Sequence, residues 1–357
     1  MYFAGFVQYL VNNKFLMKTI YSKKHILRNA STELAGGELI KPYESPERMD
    51  FILNEISNRK IGPVLDPTNQ RMDIIYKVHD KKYVQFLFNA WKEWIEEGFK
   101  GEAIPTVWPS RSMNSKIIPK NIEGKLGYYC LANETSISEG TAEGAYESVK
   151  VVLTASDILQ EEKSVFALCR PPGHHASSDQ YGGYCFFNNV AIAAEKLKEK
   201  GAERIFILDI DFHHGNGTQS IFYDRSDVFF ASLHGDPKDA FPHFLGHADE
   251  KGNGEGRGFN CNYPMPPGTS YVDWSKAFNE SIKKIQSYSP DVLLISLGVD
   301  TFEFDPISFF NLKSDDFLDI GRKLASIKLP TLFVMEGGYA IKEIGINTVN
   351  ILRGFEE

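Results

Sequence analysis

From about residue 165 to the C-terminus, short apolar runs alternate with helical patterns. This alternation predicts an α/β protein with three layers, α/β/α, around a mostly parallel open sheet. Two further observations agree. The runs carry Val, Ile, Leu and Phe at nearly every position, which marks strands buried on both faces. Polar residues gather where the runs end, which is where open α/β sheets bind their ligands. The chain has 357 residues, enough for one large domain or two, and neither an internal repeat nor a compositional break marks a linker. One domain over residues 17–357 is expected.

Residues 1–16, MYFAGFVQYLVNNKFL, are apolar but lack a basic leader region and a small-residue cleavage site. They are read as an N-terminal extension or start-site artefact outside the fold. Met17 precedes KTIYS, an expected first strand, and helices follow at about Pro46–Asn58, Lys81–Gly98 and Gly140–Leu159. Between Gly98 and Ser138 the periodicity breaks into an irregular insertion, about residues 98–138, whose Trp108, Tyr128 and Tyr129 argue against disorder. The later strands are expected at Val165–Cys169, Arg204–Asp211, Val228–His234, Asp291–Leu297 and Thr331–Glu336. Helices are expected between them at Asn189–Lys200, closed by Gly201, at Tyr271–Ser287, opened by Ser270, and at Asp315–Ile327.

Composition narrows the function. A net charge of −8 argues against general affinity for nucleic acid or anionic lipid and mildly favours a cationic partner. No stretch of 18 apolar residues occurs to span a membrane. The four cysteines, Cys130, Cys169, Cys185 and Cys261, are scattered without a CxxC, so reduced thiols in a cytoplasmic protein are expected.

The chemistry lies at the strand ends. In RIFILDIDFHHGNG, Asp209, Asp211 and His213 fall at alternate positions and would share one face if the chain stays extended. Carboxylates in an apolar strand are costly unless a cation or charged partner compensates. Two further strands end in Val299-Asp300 and in Gly337-Gly338-Tyr339, bringing Asp300 and Tyr339 to the same rim. An Asp, His, Asp set leaves a divalent ion with open positions for water and substrate, as catalytic metal sites do. One Zn²⁺ is expected, with Fe²⁺ or Mn²⁺ allowed by the oxygen-rich ligands. A single Asp would more often be a helix cap or ion-pair partner, but three such residues at neighbouring strand ends favour the metal. A rigid Arg170-Pro171-Pro172-Gly173 turn presents the tandem His174-His175 at the same edge. Metal, imidazole base and Tyr339 as oxyanion donor together make the apparatus for amide hydrolysis.

RPPGHHA, LDIDFHHGNGTQSIFY, SLHGDP, GVDTFEFDP and MEGGY, in this order, resemble the zinc-dependent deacetylases of the histone deacetylase superfamily. Within that superfamily the chain looks most like the bacterial acetylpolyamine amidohydrolases, from about Met17 to the C-terminus. The resemblance implies an arginase/deacetylase-like fold, with zinc on Asp211, His213 and Asp300. It implies His174 and His175 as the tandem pair, His175 the general base and acid, and Tyr339 as the carbonyl-polarising hydroxyl. Asp209 and Asn216 would orient the histidines, and Tyr184 and Phe241 would wall a tunnel. A structural K⁺ would sit on Asp209 and Ser232 with main-chain oxygens of Asp211, His213 and Leu233. Asn216 stands where histone-type enzymes usually have Asp, which should lower the pKa of His175. The insertion would narrow the site mouth, promote a homodimer and carry Glu123 and Glu134 toward the distal ammonium groups of a small acetylated cationic amine. Three alternatives are weighed. A protein acetyl-lysine deacetylase would use the same site with a wider mouth. A dinuclear arginase-like enzyme would need a second Asp where Gly215 stands. A catalytically silent binding module would lack Tyr339 or a tandem histidine, and all are present.

Overall fold

The computed structural model describes residues 17–357, so the reading of residues 1–16 lies outside the described residues. The strands are β1 (Lys18–Ile20), β2 (Glu33–Ala35), β3 (Glu38–Ile40), β4 (Val64–Leu65), β5 (Ser164–Ala167), β6 (Ile205–Asp209), β7 (Val228–Gly235), β8 (Asn260–Met265), β9 (Val292–Leu297) and β10 (Thr331–Met335). Eight of them form one sheet in the order β4-β1-β5-β10-β9-β6-β7-β8, and every pairing in it is parallel. From β6 the chain moves outward through β7 to β8, then returns to β9 on the other side of β6. The cleft beyond the ends of β6 and β9 is therefore the place where strand order reverses and a ligand site is expected. The remaining strands, β2 and β3, form an antiparallel hairpin around Gly36 and Gly37, whose φ values of 58° and 86° suit glycine.

Strand alternation divides the apolar side chains between two cores. Val165, Ile205, Ile207, Val228, Phe230, Leu294 and Val334 face one side, packed under α2 (Lys81–Glu96), α4 (Thr141–Ile158) and α5 (Asn189–Glu199). Phe166, Phe206, Leu208, Phe229, Leu293, Ile295 and Phe333 face the other. There they meet α1 (Glu47–Asn58), α6 (Tyr271–Tyr288), α7 (Ser314–Ala325) and α8 (Ile344–Glu356). The three-layer α/β/α architecture expected from the alternation is the one observed.

Three local readings need correction. The stretch 98–138 is not irregular throughout: α3 (Ile122–Tyr129) forms within it, capped by the Asn121 side chain accepting the Glu123 N–H. Its Gly124 and Gly127 hide the helical pattern. The strand read as Arg204–Asp211 ends at Asp209, because the Asp209 and Asp211 carboxylates accept the N–H two residues onward, at 3.1 and 2.9 Å, and turn the chain. Finally, β8 carries no apolar run to announce it: its Asn260 and Asn262 are buried and Pro264 lies in it, which an edge strand tolerates.

Phe206 is fully buried and stacks on Phe229 with ring centroids 4.7 Å apart. Phe206→Ala should lower unfolding free energy by about 3–5 kcal/mol in urea denaturation. A loss below about 1 kcal/mol would contradict this packing.

Candidate active site

Asp211 and His213 lie just beyond β6, and Asp300 just beyond β9, all buried, with one ligand atom of each within 4.8 Å of the others. Alternation along a strand does not bring them together, since the chain has already turned. Hydrogen bonds to the backbone do. Asp211 Oδ2 accepts the Gly337 N–H at 2.8 Å, and Asp300 Oδ1 accepts the Phe212 N–H at 2.7 Å. This leaves Asp300 Oδ2 facing His213 Nδ1 at 2.9 Å, with Asp211 Oδ1 3.3 Å from the same nitrogen.

The electrostatics call for a cation. Burial works against a charged His213, but the carboxylates of Asp211 and Asp300 outweigh it and raise its pKa to about 10. Burial and the Asp211 charge push Asp300 up to about 8. The set thus takes up protons to offset its negative charge, and protons are what a divalent ion displaces from such ligands. Space agrees with charge. A Cβ on Gly337 would lie 2.6 Å from Asp211 Oδ2 and 2.8 Å from Asp300 Oδ2, and a Cβ on Gly298 would overlap the Asp211 carboxylate. Gly298→Ala should fold, judged by far-UV circular dichroism, yet retain well under one equivalent of metal after desalting; full metal content would contradict this crowding.

Beside this set, His174 Nδ1 meets Asp209 Oδ2 at 2.9 Å, and the His174 and His175 rings lie 4.0 Å apart. Although burial opposes the charge on His174, Asp211 and Asp209 raise its pKa to about 10. His175 behaves oppositely: burial first, then the positive charges of His174 and His213, hold it well below the usual range. Its Nδ1 lies 2.6 Å from Asn216 Oδ1, while Asn216 Nδ2 points toward the His175 carbonyl at 3.4 Å. Facing an acceptor, Nδ1 carries the proton and Nε2 is left to accept one. Asp209 thus lies against His174, and Asn216 against His175. Asp209 is also in direct register with Ser232 on β7, beside Leu233. Ser232 Oγ is engaged with His234 Nδ1 at 2.8 Å.

A cavity of about 340 Å³ opens above these groups, with His175, His213 and Tyr339 at its base and Tyr184 and Phe241 in its wall. The Phe241 ring meets His175 edge-on at 5.0 Å, and Tyr184 meets Tyr339 at 5.6 Å. Burial raises the Tyr339 phenol well above its ordinary value, so it remains a proton donor at neutral pH. Of the two acidic residues expected at the mouth, the structure brings only Glu134 there, half-buried, its Oε1 accepting the Gly183 N–H at 2.6 Å. Glu123 is exposed on the first turn of α3 and does not line the cavity. Its place is taken by Glu33 on β2, which sequence reasoning missed; its Oε1 accepts the Tyr184 hydroxyl at 2.8 Å. Nothing in STELAGG singles that carboxylate out.

Two more buried groups escaped notice. Arg48 on α1 donates to the carbonyls of Gly338 at 2.8 Å and Glu336 at 2.6 Å, and its guanidinium lies 5.0 Å from the Tyr339 ring centroid. Glu336 Oε2 accepts the N–H groups of Gly173 at 2.6 Å and His174 at 3.1 Å, fixing the histidine turn. The only hint was a Glu ending an apolar run.

Comparison with known proteins agrees with this geometry. Residues 42–354 match the Histone deacetylase domain family. Over 339 residues the chain is 52% identical to the acetylpolyamine amidohydrolase of Mycoplana ramosa, covering 95% of this chain and 99% of that one. Acetylpolyamine amidohydrolase 2 of Pseudomonas aeruginosa is 49% identical over 341 residues, again covering 95% and 99%. The crystal structure of acetylpolyamine aminohydrolase from Burkholderia pseudomallei superposes with a TM-score of 0.90 at 34% identity, covering 95% of this chain and 98% of that one. With buried Asp, His and Tyr side chains gathered beyond the ends of β5, β6, β9 and β10, the chain belongs to the histone deacetylase family, metal-dependent amidohydrolases, and resembles its acetylpolyamine amidohydrolases.

Proposed function

We propose that this enzyme removes acetyl groups from acetylated polyamines or similar small cationic amines, releasing acetate and the free amine. The observation that carries the substrate class is a cavity lined by His175, His213 and Tyr339 whose wall also holds three carboxylates, Glu33, Glu134 and Asp239. Burial raises the Glu33 carboxyl above its ordinary value and the nearby Glu134 adds to this, so a substrate ammonium there would be a welcome counter-charge. The acetylpolyamine amidohydrolases named above point the same way.

In this reading Asp211, His213 and Asp300 hold one Zn²⁺, and Asp209 and Ser232 with the main-chain oxygens of Asp211, His213 and Leu233 hold K⁺. Bound zinc supplies a Lewis acid that polarises the amide carbonyl and acidifies water. His175 accepts the proton of the attacking water at Nε2, its Nδ1–H held by Asn216, and later returns a proton to the departing amine. His174, kept charged by Asp209, stabilises negative charge as it builds up nearby. Tyr339 donates its hydroxyl to the carbonyl oxygen, where such a donor typically contributes ~10²–10³ in rate. Tyr184 and Phe241 confine the acyl-bearing chain and exclude water.

The test is turnover of N-acetylputrescine, acetylspermidine and an acetyl-lysine peptide by zinc-loaded enzyme. Acetylpolyamines should give the higher kcat/KM. A charge contact at the half-buried Glu134 contributes about 1 kcal/mol and one at the buried Glu33 at least as much, so Glu33→Gln with Glu134→Gln should raise KM for acetylspermidine about fivefold or more. The same change should leave a neutral acetanilide unaffected. Faster peptide turnover, with no effect of the double variant, would favour the protein deacetylase instead.

We also propose a homodimer through the insertion. Val107, Met113 and Ile117 are exposed there beside Trp108 and Tyr128, a contiguous apolar surface of the kind that marks an interaction site. Ile117→Asp should convert a dimer to monomer in size-exclusion chromatography with light scattering; a monomeric parent protein would refute the assembly.

A further inference from the structure

Asp305 lies in the loop GVDTFEFDP, residues 298–306, which also carries Asp300, and it is 7% exposed. Its carboxylate lies close enough to Asp300 and His213 to feel their charges, yet its hydrogen bonds go to backbone, including that of another loop. Oδ2 accepts the N–H of Tyr339 at 2.7 Å and of Ala340 at 3.2 Å, while Oδ1 accepts the N–H of Ile307 at 3.2 Å. One side chain thus fastens the Tyr339 segment to the loop that supplies Ile307 and Phe309 to the cavity wall. The segment needs such an anchor. Tyr339 follows Gly337 and Gly338, and Gly338 has a φ of 131°, a conformation open to glycine but strained for other residues. Tyr184 and Arg48 flank the Tyr339 ring at 5.6 and 5.0 Å, bounding its orientation, but neither donates to or accepts from its backbone N–H. Among the described residues, Asp305 alone does that.

We propose that Asp305 is a positioning residue for Tyr339, holding its backbone so that the phenol meets the substrate carbonyl oxygen. This rests on the reading of Tyr339 as the carbonyl-oxygen donor. Misplacement of a catalytic group by about 1 Å can cost ~10²-fold in rate, so the effect should fall on kcat and spare binding. A purely structural Asp305 would act through Asp300 and the metal, or through overall stability, and would not depend on the Tyr339 hydroxyl.

A double-mutant cycle separates these cases. Steady-state kinetics on N-acetylputrescine would be measured with metal content and melting temperature for Asp305→Ala, Tyr339→Phe and the double variant. Asp305→Ala should lower kcat about tenfold or more with KM within about threefold and one metal equivalent retained. In the Tyr339→Phe background the same change should lower the residual kcat by less than about twofold. Asp305→Asn keeps an oxygen acceptor for the Tyr339 N–H and should recover most of the loss. If Asp305→Ala does not fold, Asp305→Ser carries the same cycle with the same expected result. Equal losses in both backgrounds, loss of metal, an Asn variant as impaired as Ala, or a kcat within about threefold of the parent would each overturn the proposal. A Tyr339→Phe enzyme within about threefold of the parent would instead sink the underlying reading of Tyr339, and the positioning role with it.

Discussion

Fully buried carboxylates set the terms for this protein. Asp209, Asp211, Asp300 and Glu336 all show no exposure, clustered where β6, β9 and β10 end. Burying one unpaired carboxylate is expensive, and burying several together compounds desolvation with mutual repulsion. The fold meets this cost in two ways. Backbone N–H groups of Asp211, Phe212, His213, Gly173, His174 and Gly337 donate to these oxygens. The imidazoles of His174 and His213 take up protons against the cost of their own burial. What remains is a site whose negative charge a divalent ion would neutralise.

Much of the surrounding architecture follows from keeping that site compact. Gly298, Gly215 and Gly337 each stand where a side chain would strike Asp211, Asp209 or both Asp211 and Asp300. Arg48 and Arg170 share the buried Glu44, tying α1 to the histidine turn and to the segment that carries Tyr339. These contacts contribute geometry more than stability, since a buried ion pair recovers little beyond its desolvation cost. Their consequence is functional: His175, Tyr339 and the metal-ligand set are held by rigid elements, so little reorganisation would remain when charge develops on a substrate carbonyl.

The sheet and the ligand set were legible because each rests on local pattern. Continuous apolar runs announce β5, β6, β7, β9 and β10, and Asp211, His213 and Asp300 stand at the ends of such runs. The tandem histidines were legible through the Pro-Pro-Gly turn before them. Residues whose roles come from distant contacts were not. Glu33 meets Tyr184 across 151 positions of sequence, and Arg48 meets Gly338 across 290. Glu123 shows the converse: its charge and its place in the insertion resemble those of a mouth residue, but the α3 turn leaves it in solvent. No helix among the described residues is long and apolar enough to cross a membrane, and all four cysteines are buried and unpaired.

The central claim is that the buried carboxylate and imidazole set is completed by a single divalent ion, and the most direct measurement is the melting temperature of metal-stripped protein titrated with Zn²⁺. Binding to the folded state alone stabilises by about 2.7 kcal/mol at a hundredfold excess over Kd, so the melting temperature should climb by several degrees. The rise should saturate at one equivalent per chain in the parent protein and vanish in Asp300→Ala. A melting temperature indifferent to zinc, or one that keeps rising to a second stoichiometric equivalent, would contradict the account.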